Sequence, residues 1–311
     1  MVVSNEQKGG GHKRLSVSAA PPPSLHAARV SLGLLGVAVG LTLRCVPRYY
    51  VRRHMHTLRP RELIERLEAL CHAYRHVWVW WALGEETLCA CGLEDVGDAP
   101  AHNAVLYDGE NWYHGAPPLQ APKAMLASGA MGQSQADVGG SKGAGRGGRE
   151  GGGAGGEGSE EGPGSIRSYS MQYAVPRERA SEMIACLDAH AGEIGVGRVV
   201  ELKLVGAGAS LLGLNSQGAV ACANVLWQLK PSETQCLVAF ERALIGIGAW
   251  PHLGKLHGLT PKSLSTAEGL GGGRGALALP PAADRFATLV EQVDPHGTLG
   301  GRAAAARLWG R

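Results

Sequence analysis

The chain has 311 residues, and 47 Gly with 17 Pro make up about a fifth of them against the roughly 12% of an average chain, so part of it does not pack. With 44% hydrophobic and 18% charged residues, the remainder buries enough apolar surface to exclude disorder throughout. A formal charge of +3 is too near balance for a polyanion binder, so no nucleic-acid partner is expected.

Residues 1–26, with Gly9-Gly10-Gly11 and Pro21-Pro22-Pro23, lack apolar periodicity and read as a disordered arm. The apolar run 30–43 follows, flanked by Arg29 and Arg44. It is shorter than the about 20 residues a bilayer span needs and contains Gly33, Gly36 and Gly40, so it reads as a buried strand-turn-strand ahead of a transmembrane helix. His54 and His56 stand among arginines that repel a dication, which makes them an exposed basic loop rather than a metal site. From Pro60, the residues Leu63, Ile64, Leu67, Leu70, Cys71 and Tyr74 recur at helical steps. Residues 77–83 and 87–93, rich in Val, Trp and Leu around Gly84-Glu85-Glu86, predict a β-hairpin with Trp78, Trp80 and Trp81 as sheet core. Seven Cys, an odd number, argue for a reducing compartment, and Cys89 and Cys91 are too close for structural zinc, so they read as small buried thiols.

Residues 127–165 hold roughly a third of the glycines and almost nothing apolar, so they read as a disordered insertion. A strand at 170–175 follows, and Pro176 then opens a helix with Ala180, Met183, Ile184 and Leu187 on one face. In the strand 198–205, Val200, Leu202 and Leu204 point one way and Glu201 and Lys203 the other. A strand at 219–229 leads to a helix capped by Ser232, with a stripe of Leu237, Val238, Glu241, Leu244 and Ile245 that ends at Gly246 and Gly248. Beyond the Gly-rich patch 269–275, a last helix at 284–293 turns Phe286, Leu289, Val290 and Val293 inward. Strands and helices are segregated rather than alternating, which predicts an α+β fold.

Two places can carry chemistry. Strand geometry puts Glu201 and Lys203 about 6 to 7 Å apart on one face, aimed at one substrate group, unless that face is merely the solvated side of an edge strand. In Trp250-Pro251-His252-Leu253-Gly254-Lys255 a proline extends the chain after a helix end, and Lys255 offers a fixed ammonium to a developing anion, unless it is an ordinary surface lysine.

Five stretches share an order with one family. They are the segment from Ala28-Arg29-Val30-Ser31-Leu32-Gly33-Leu34-Leu35-Gly36-Val37 to Leu43-Arg44-Cys45-Val46-Pro47; Met171-Gln172-Tyr173-Ala174-Val175-Pro176-Arg177-Glu178; Glu201-Leu202-Lys203; Pro251-His252-Leu253-Gly254-Lys255; and Asp294-Pro295-His296-Gly297. As a set they resemble the aldonolactone oxidases, FAD-dependent sugar-lactone oxidoreductases that include D-arabinono-1,4-lactone oxidase and L-gulonolactone oxidase. The resemblance covers about residues 27–126 and 166–311. It implies the antiparallel sheet flanked by helices of a cap or substrate domain of the vanillyl-alcohol-oxidase type. That domain would span 51–311, interrupted at 127–165 and preceded at 27–50 by a remnant of the FAD-binding domain.

The implied reaction is oxidation of an aldono-1,4-lactone to an ascorbate-type product, with hydride transfer to FAD and reoxidation by oxygen or another acceptor. By the same resemblance Glu201 hydrogen-bonds the substrate hydroxyl, and Lys203 supplies the charge that the family takes from Arg. Lys255 stabilises negative charge on reduced flavin or product, and His252 positions the Lys255 loop. Gly33, Gly36 and Val37, with Lys255, approach the flavin. The chain departs from the family at Lys203, a point charge in place of a forked guanidinium; at Leu253 in place of Trp; and at Thr298-Leu299-Gly300 in place of Phe-Leu-Asn. The alternative is a catalytically inactive cap-domain remnant acting as a binding module. Arginines between 44 and 61 beside an apolar patch imply a membrane-associated, intracellular protein lying on an anionic surface.

Overall fold

The computed structural model describes residues 5–6, 14–15, 22–40, 43, 45–107, 168–228, 234–258 and 282–300. The insertion expected at 127–165, the cap Ser232 and the patch 269–275 lie outside the described residues. In chain order the elements are β1 (Asn5–Glu6), β2 (Arg14–Leu15), α1 (Pro22–Ala28), β3 (Tyr50–Leu58), α2 (Pro60–Ala73), β4 (His76–Ala82), β5 (Leu88–Gly97) and β6 (Ala104–Leu106). There follow β7 (Ser168–Pro176), α3 (Ala180–Ala189), α4 (Ala191–Ile194), β8 (Val199–Val205), β9 (Val220–Gln228), α5 (Thr234–Gly246), β10 (Trp250–Pro251) and α6 (Ala283–Val293). The fold is α+β, as the segregated pattern predicts. Its centre is an eight-stranded antiparallel open sheet of order β10-β7-β9-β8-β4-β5-β3-β6.

Alternation along each strand divides the sheet into two faces. Val79 and Trp81 of β4, Met171 and Tyr173 of β7, Val200 and Leu202 of β8, and Ala223 and Val225 of β9 all join one buried cluster with α2 to α5. The helices earn this position through their stripes, namely Leu63, Leu67 and Leu70 in α2; Met183, Ile184 and Leu187 in α3; and Leu237, Phe240 and Leu244 in α5. Each such side chain, fully buried, contributes about 1.5–3 kcal/mol. Pro60 opens α2, where the Arg59 N–H donates to the Glu62 carboxylate at 2.8 Å.

The opposite face carries the complementary residues. Trp78 stands opposite both Cys91 and Lys203, and Lys203 opposite Cys222; one step along, Trp80 stands opposite Glu201, Glu201 opposite Asn224, and Asn224 opposite Gln172. Val51, Trp80, Cys89, Cys91 and Leu93 form a separate buried cluster on this face, so the hairpin and the buried thiols are as expected. Burial pushes the Cys91 thiol up to about 12.

Three expectations fail. Residues 30–43 form no strand where described: Val37, Val39 and Leu43 are 82%, 83% and 77% exposed, because glycines with left-handed φ at Gly33 and Gly36 break any pleat. Within 1–26 the described elements are the β1–β2 pair and the start of α1, and Ala27 of α1 is buried against Leu34, Leu211, Leu212, Phe286 and Val290. His54 and His56 lie in strand β3 rather than in a loop, bonded to Glu94 at 2.8 Å and to the Tyr74 hydroxyl at 2.9 Å. Val238 is exposed, being one position off the stripe that Leu237 and Leu244 define.

Candidate functional site

Strand β8 is flanked by β4 and β9, so the face bearing Glu201 and Lys203 is not that of an edge strand. Their side chains are 14% and 24% exposed, and Lys203 Nζ lies 3.0 Å from Glu201 Oε2. Neighbouring strands complete the setting. Trp78 Nε1 donates to Glu201 Oε1 at 3.3 Å, and Lys203 Nζ sits 4.2 Å above the Trp78 ring, a cation–π contact that holds the ammonium over the indole. Asn224 Nδ2 donates to Glu201 Oε2 at 2.8 Å.

Lys255 reaches the same cluster from outside the ladder. The His252 N–H donates to the Gln172 carbonyl at 2.8 Å and the Leu256 N–H to the Ser170 carbonyl at 3.1 Å. Four residues on this segment therefore match two on β7. Regular antiparallel pairing matches them one to one, so the surplus is thrown out as a bulge. The Lys255 N–H closes the bulge on the His252 carbonyl at 2.9 Å, and His252 Nδ1 accepts from the Gly254 N–H at 3.1 Å. Lys255 Nζ then donates to Asn224 Oδ1 at 2.7 Å. Asn224, 4% exposed, thus bridges the Glu201 carboxylate and the Lys255 ammonium with both ends of its amide.

Burial holds the Lys255 ammonium below the usual lysine range; the Lys203 charge adds to this, while Glu201 and Cys222 oppose it. Burial, and then the Lys255 charge, lowers His252. The Cys222 thiol is raised by burial, against a hydrogen bond from Gln172 and the charges of Lys203 and Lys255. Two ammonium groups and one carboxylate leave one net positive charge in a partly desolvated cluster. Such an arrangement can accept a hydrogen bond from a neutral hydroxyl at Glu201 and stabilise an anionic oxygen at the lysines.

The structure brings Glu201, Lys203, Lys255 and His252 into one site, and Asn224, Trp78 and Gln172 join them unforeseen. Gly33, Gly36 and Val37 lie on a separate segment. Gly33 and Gly36 have φ of 78° and 125°, and no atom lies within 4 Å of where a Cβ would stand at either, so conformation rather than crowding requires glycine there. That segment is linked to the site by packing, since Leu32, Leu35 and Leu253 all join the cluster around Phe286. Asp294 is a turn residue: its carboxylate accepts the Thr298 and Leu299 N–H groups at 2.8 and 2.7 Å, and these bonds hold it below the usual carboxylate range. Among the described residues, no cluster of three or more His, Cys, Asp or Glu is placed to hold a metal, and no helix is long and apolar enough to cross a membrane. No family model matches the chain, and no curated protein matches it.

Proposed function

We propose that this chain forms the substrate wall of an FAD-dependent aldonolactone oxidase resembling D-arabinono-1,4-lactone oxidase, with its sheet serving as a cap domain of the vanillyl-alcohol-oxidase type and residues 27–50 as a remnant of the FAD-binding domain. The observation that carries this reading is the meeting of Glu201, Lys203 and Lys255, from two distant segments, around one buried amide on the sheet face opposite α2 to α5. An ordinary solvated face has no need of such a bridge.

The donor set suits the redox end of a flavin. An isoalloxazine presents acceptors along one edge, and the Lys255 and Lys203 ammonium groups are donors whose partial burial strengthens their pull on them. When bound, FAD supplies a hydride acceptor, with oxygen or another acceptor receiving the electrons. Glu201 accepts the hydrogen bond of the lactone hydroxyl and so orients the carbon that bears it. Lys255 stabilises the oxyanion of the enediol product, Asn224 fixes the distance between the two, and His252 shapes the turn beneath Lys255. Gly33, half-buried Gly36 and Val37 would supply the backbone that approaches the ring when FAD is bound. Exposed Val37, Val39, Leu43 and Val46 beside Arg48 support a membrane-associated, intracellular location on an anionic surface.

The test is anaerobic addition of D-arabinono-1,4-lactone to the purified chain saturated with FAD. Loss of oxidised-flavin absorbance, and peroxide on admitting air, are expected. A folded chain that binds lactone yet leaves FAD oxidised is a binding module instead.

A further inference from the structure

We propose that Glu241 is a positioning residue that latches the Lys255 loop to the sheet through Gly258 and Tyr173. This deepens the reading above and rests on the role given there to Lys255. Glu241 follows Leu237 by four residues and precedes Leu244 by three, so a carboxylate stands in line with the buried stripe of α5. A carboxylate there is costly unless hydrogen-bonded. Two donors hold it: the Tyr173 hydroxyl, and the Gly258 N–H at 2.8 Å to Oε1.

Both donors lead to the site. Tyr173 is fully buried, its ring lies edge-on to Phe240 at 6.1 Å, and its backbone pairs with Pro251 immediately before the bulge. Burial, and then the Glu241 hydrogen bond, hold its phenol above the usual range, so the hydroxyl stays a donor. Gly258 follows Lys255 by three residues, and a Cβ there would stand 2.6 Å from Glu241 Oε2, so the close approach needs glycine. The segment is therefore pinned at His252, Leu256 and Gly258. The first two pins are single backbone bonds at a sheet edge, which open readily on their own. The third ties the chain leaving the bulge to a packed helix, and so keeps Lys255 over Asn224.

The variants Glu241→Ala, Glu241→Gln and Tyr173→Phe in the full chain test the latch. The readouts are amide hydrogen exchange at Leu256 and Gly258 and the titration of the Lys255 side chain in a 13C-lysine sample assigned with Lys255→Arg. In Glu241→Ala, exchange at both amides accelerates by about tenfold or more and the Lys255 titration moves up toward that of an exposed lysine. Glu241→Gln, which keeps an acceptor oxygen, stays near the parent on both readouts, and Tyr173→Phe moves both in the same direction as the alanine variant. If Glu241→Ala does not fold, Tyr173→Phe decides. A folded variant lacking either bond, with exchange and Lys255 titration unchanged, overturns the latch. No readout here requires turnover, so failure of lactone oxidation leaves the latch testable, and lactone-dependent flavin reduction with an unmoved loop removes the latch alone.

Discussion

Replacing Asn224 with Ala removes the one amide that touches both Glu201 and Lys255. Hydrogen bonds to charged groups are worth about 1.5–3 kcal/mol each. The two ends respond differently. Glu201 keeps Lys203 at 3.0 Å and the Trp78 indole at 3.3 Å, so its loss is partly made good. Lys255, on a bulged loop, recovers water by swinging outward. The net destabilisation is therefore about 2–3 kcal/mol near neutral pH, below the sum of two such bonds, and the melting temperature falls by roughly 5–10 °C for a fold of this size. Urea unfolding followed by circular dichroism measures the change, and the double variant with Lys255→Ala isolates the coupling, expected at about 1 kcal/mol or more. A loss under about 0.5 kcal/mol, with the two substitutions additive, would refute the bridging role of Asn224.

Three further outcomes follow from the same geometry. Gly92→Ala puts a Cβ 2.2 Å from a ring carbon of Tyr74, so Tyr74 must leave its place and its bond to His56; destabilisation by about 2 kcal/mol or more in thermal unfolding is expected, and a neutral effect contradicts the packing. Iodoacetamide labelling read by peptide mass spectrometry modifies exposed Cys45 first and Cys91 last, because burial withholds the Cys91 thiolate; equal rates contradict that burial. Since the Lys255 ammonium titrates lower when folded than its ordinary 10.5, the unfolded chain binds more protons between those two values, and stability gains with rising pH in that window. Lys255→Met loses this gain, so the difference between parent and variant unfolding free energies shifts in favour of the parent on the alkaline side, and a flat difference contradicts the depressed titration.

Where pattern and packing agree, the sequence was informative. Alternation in β8 separates Val200 and Leu202 from Glu201 and Lys203, and the three-four steps of α2 and α3 name the residues that turn out buried. Asn224 was not legible, because a single Asn within Ala221-Cys222-Ala223-Asn224-Val225 gains its meaning from register: it matters through standing opposite Glu201, and register is a long-range property. Its available signal was a single amide inside the apolar run 220–227, at even spacing from Cys222. The bulge that delivers Lys255 was equally hidden, since it consists of two residues in excess of a pairing with β7 that the chain order does not reveal. Residues 30–43 misled in the other direction. Their apolar composition suggests burial, but three glycines deny them the pleat that would bury alternate side chains. In β3 the histidines sit on a strand that places an arginine on each face, Arg52 on one and Arg53 on the other beside Val51 and Met55, so a period-two reading finds no clean alternation.

The most direct measurement is an anaerobic titration of the FAD-saturated chain with D-arabinono-1,4-lactone, run beside Glu201→Gln and Lys255→Met. If Glu201, Asn224 and Lys255 form a substrate wall, the parent loses its oxidised-flavin absorbance in proportion to added lactone and both variants, folded and flavin-bound, retain it. An oxidised flavin that persists in the folded parent under excess lactone, or bleaching equal in all three proteins, contradicts the account.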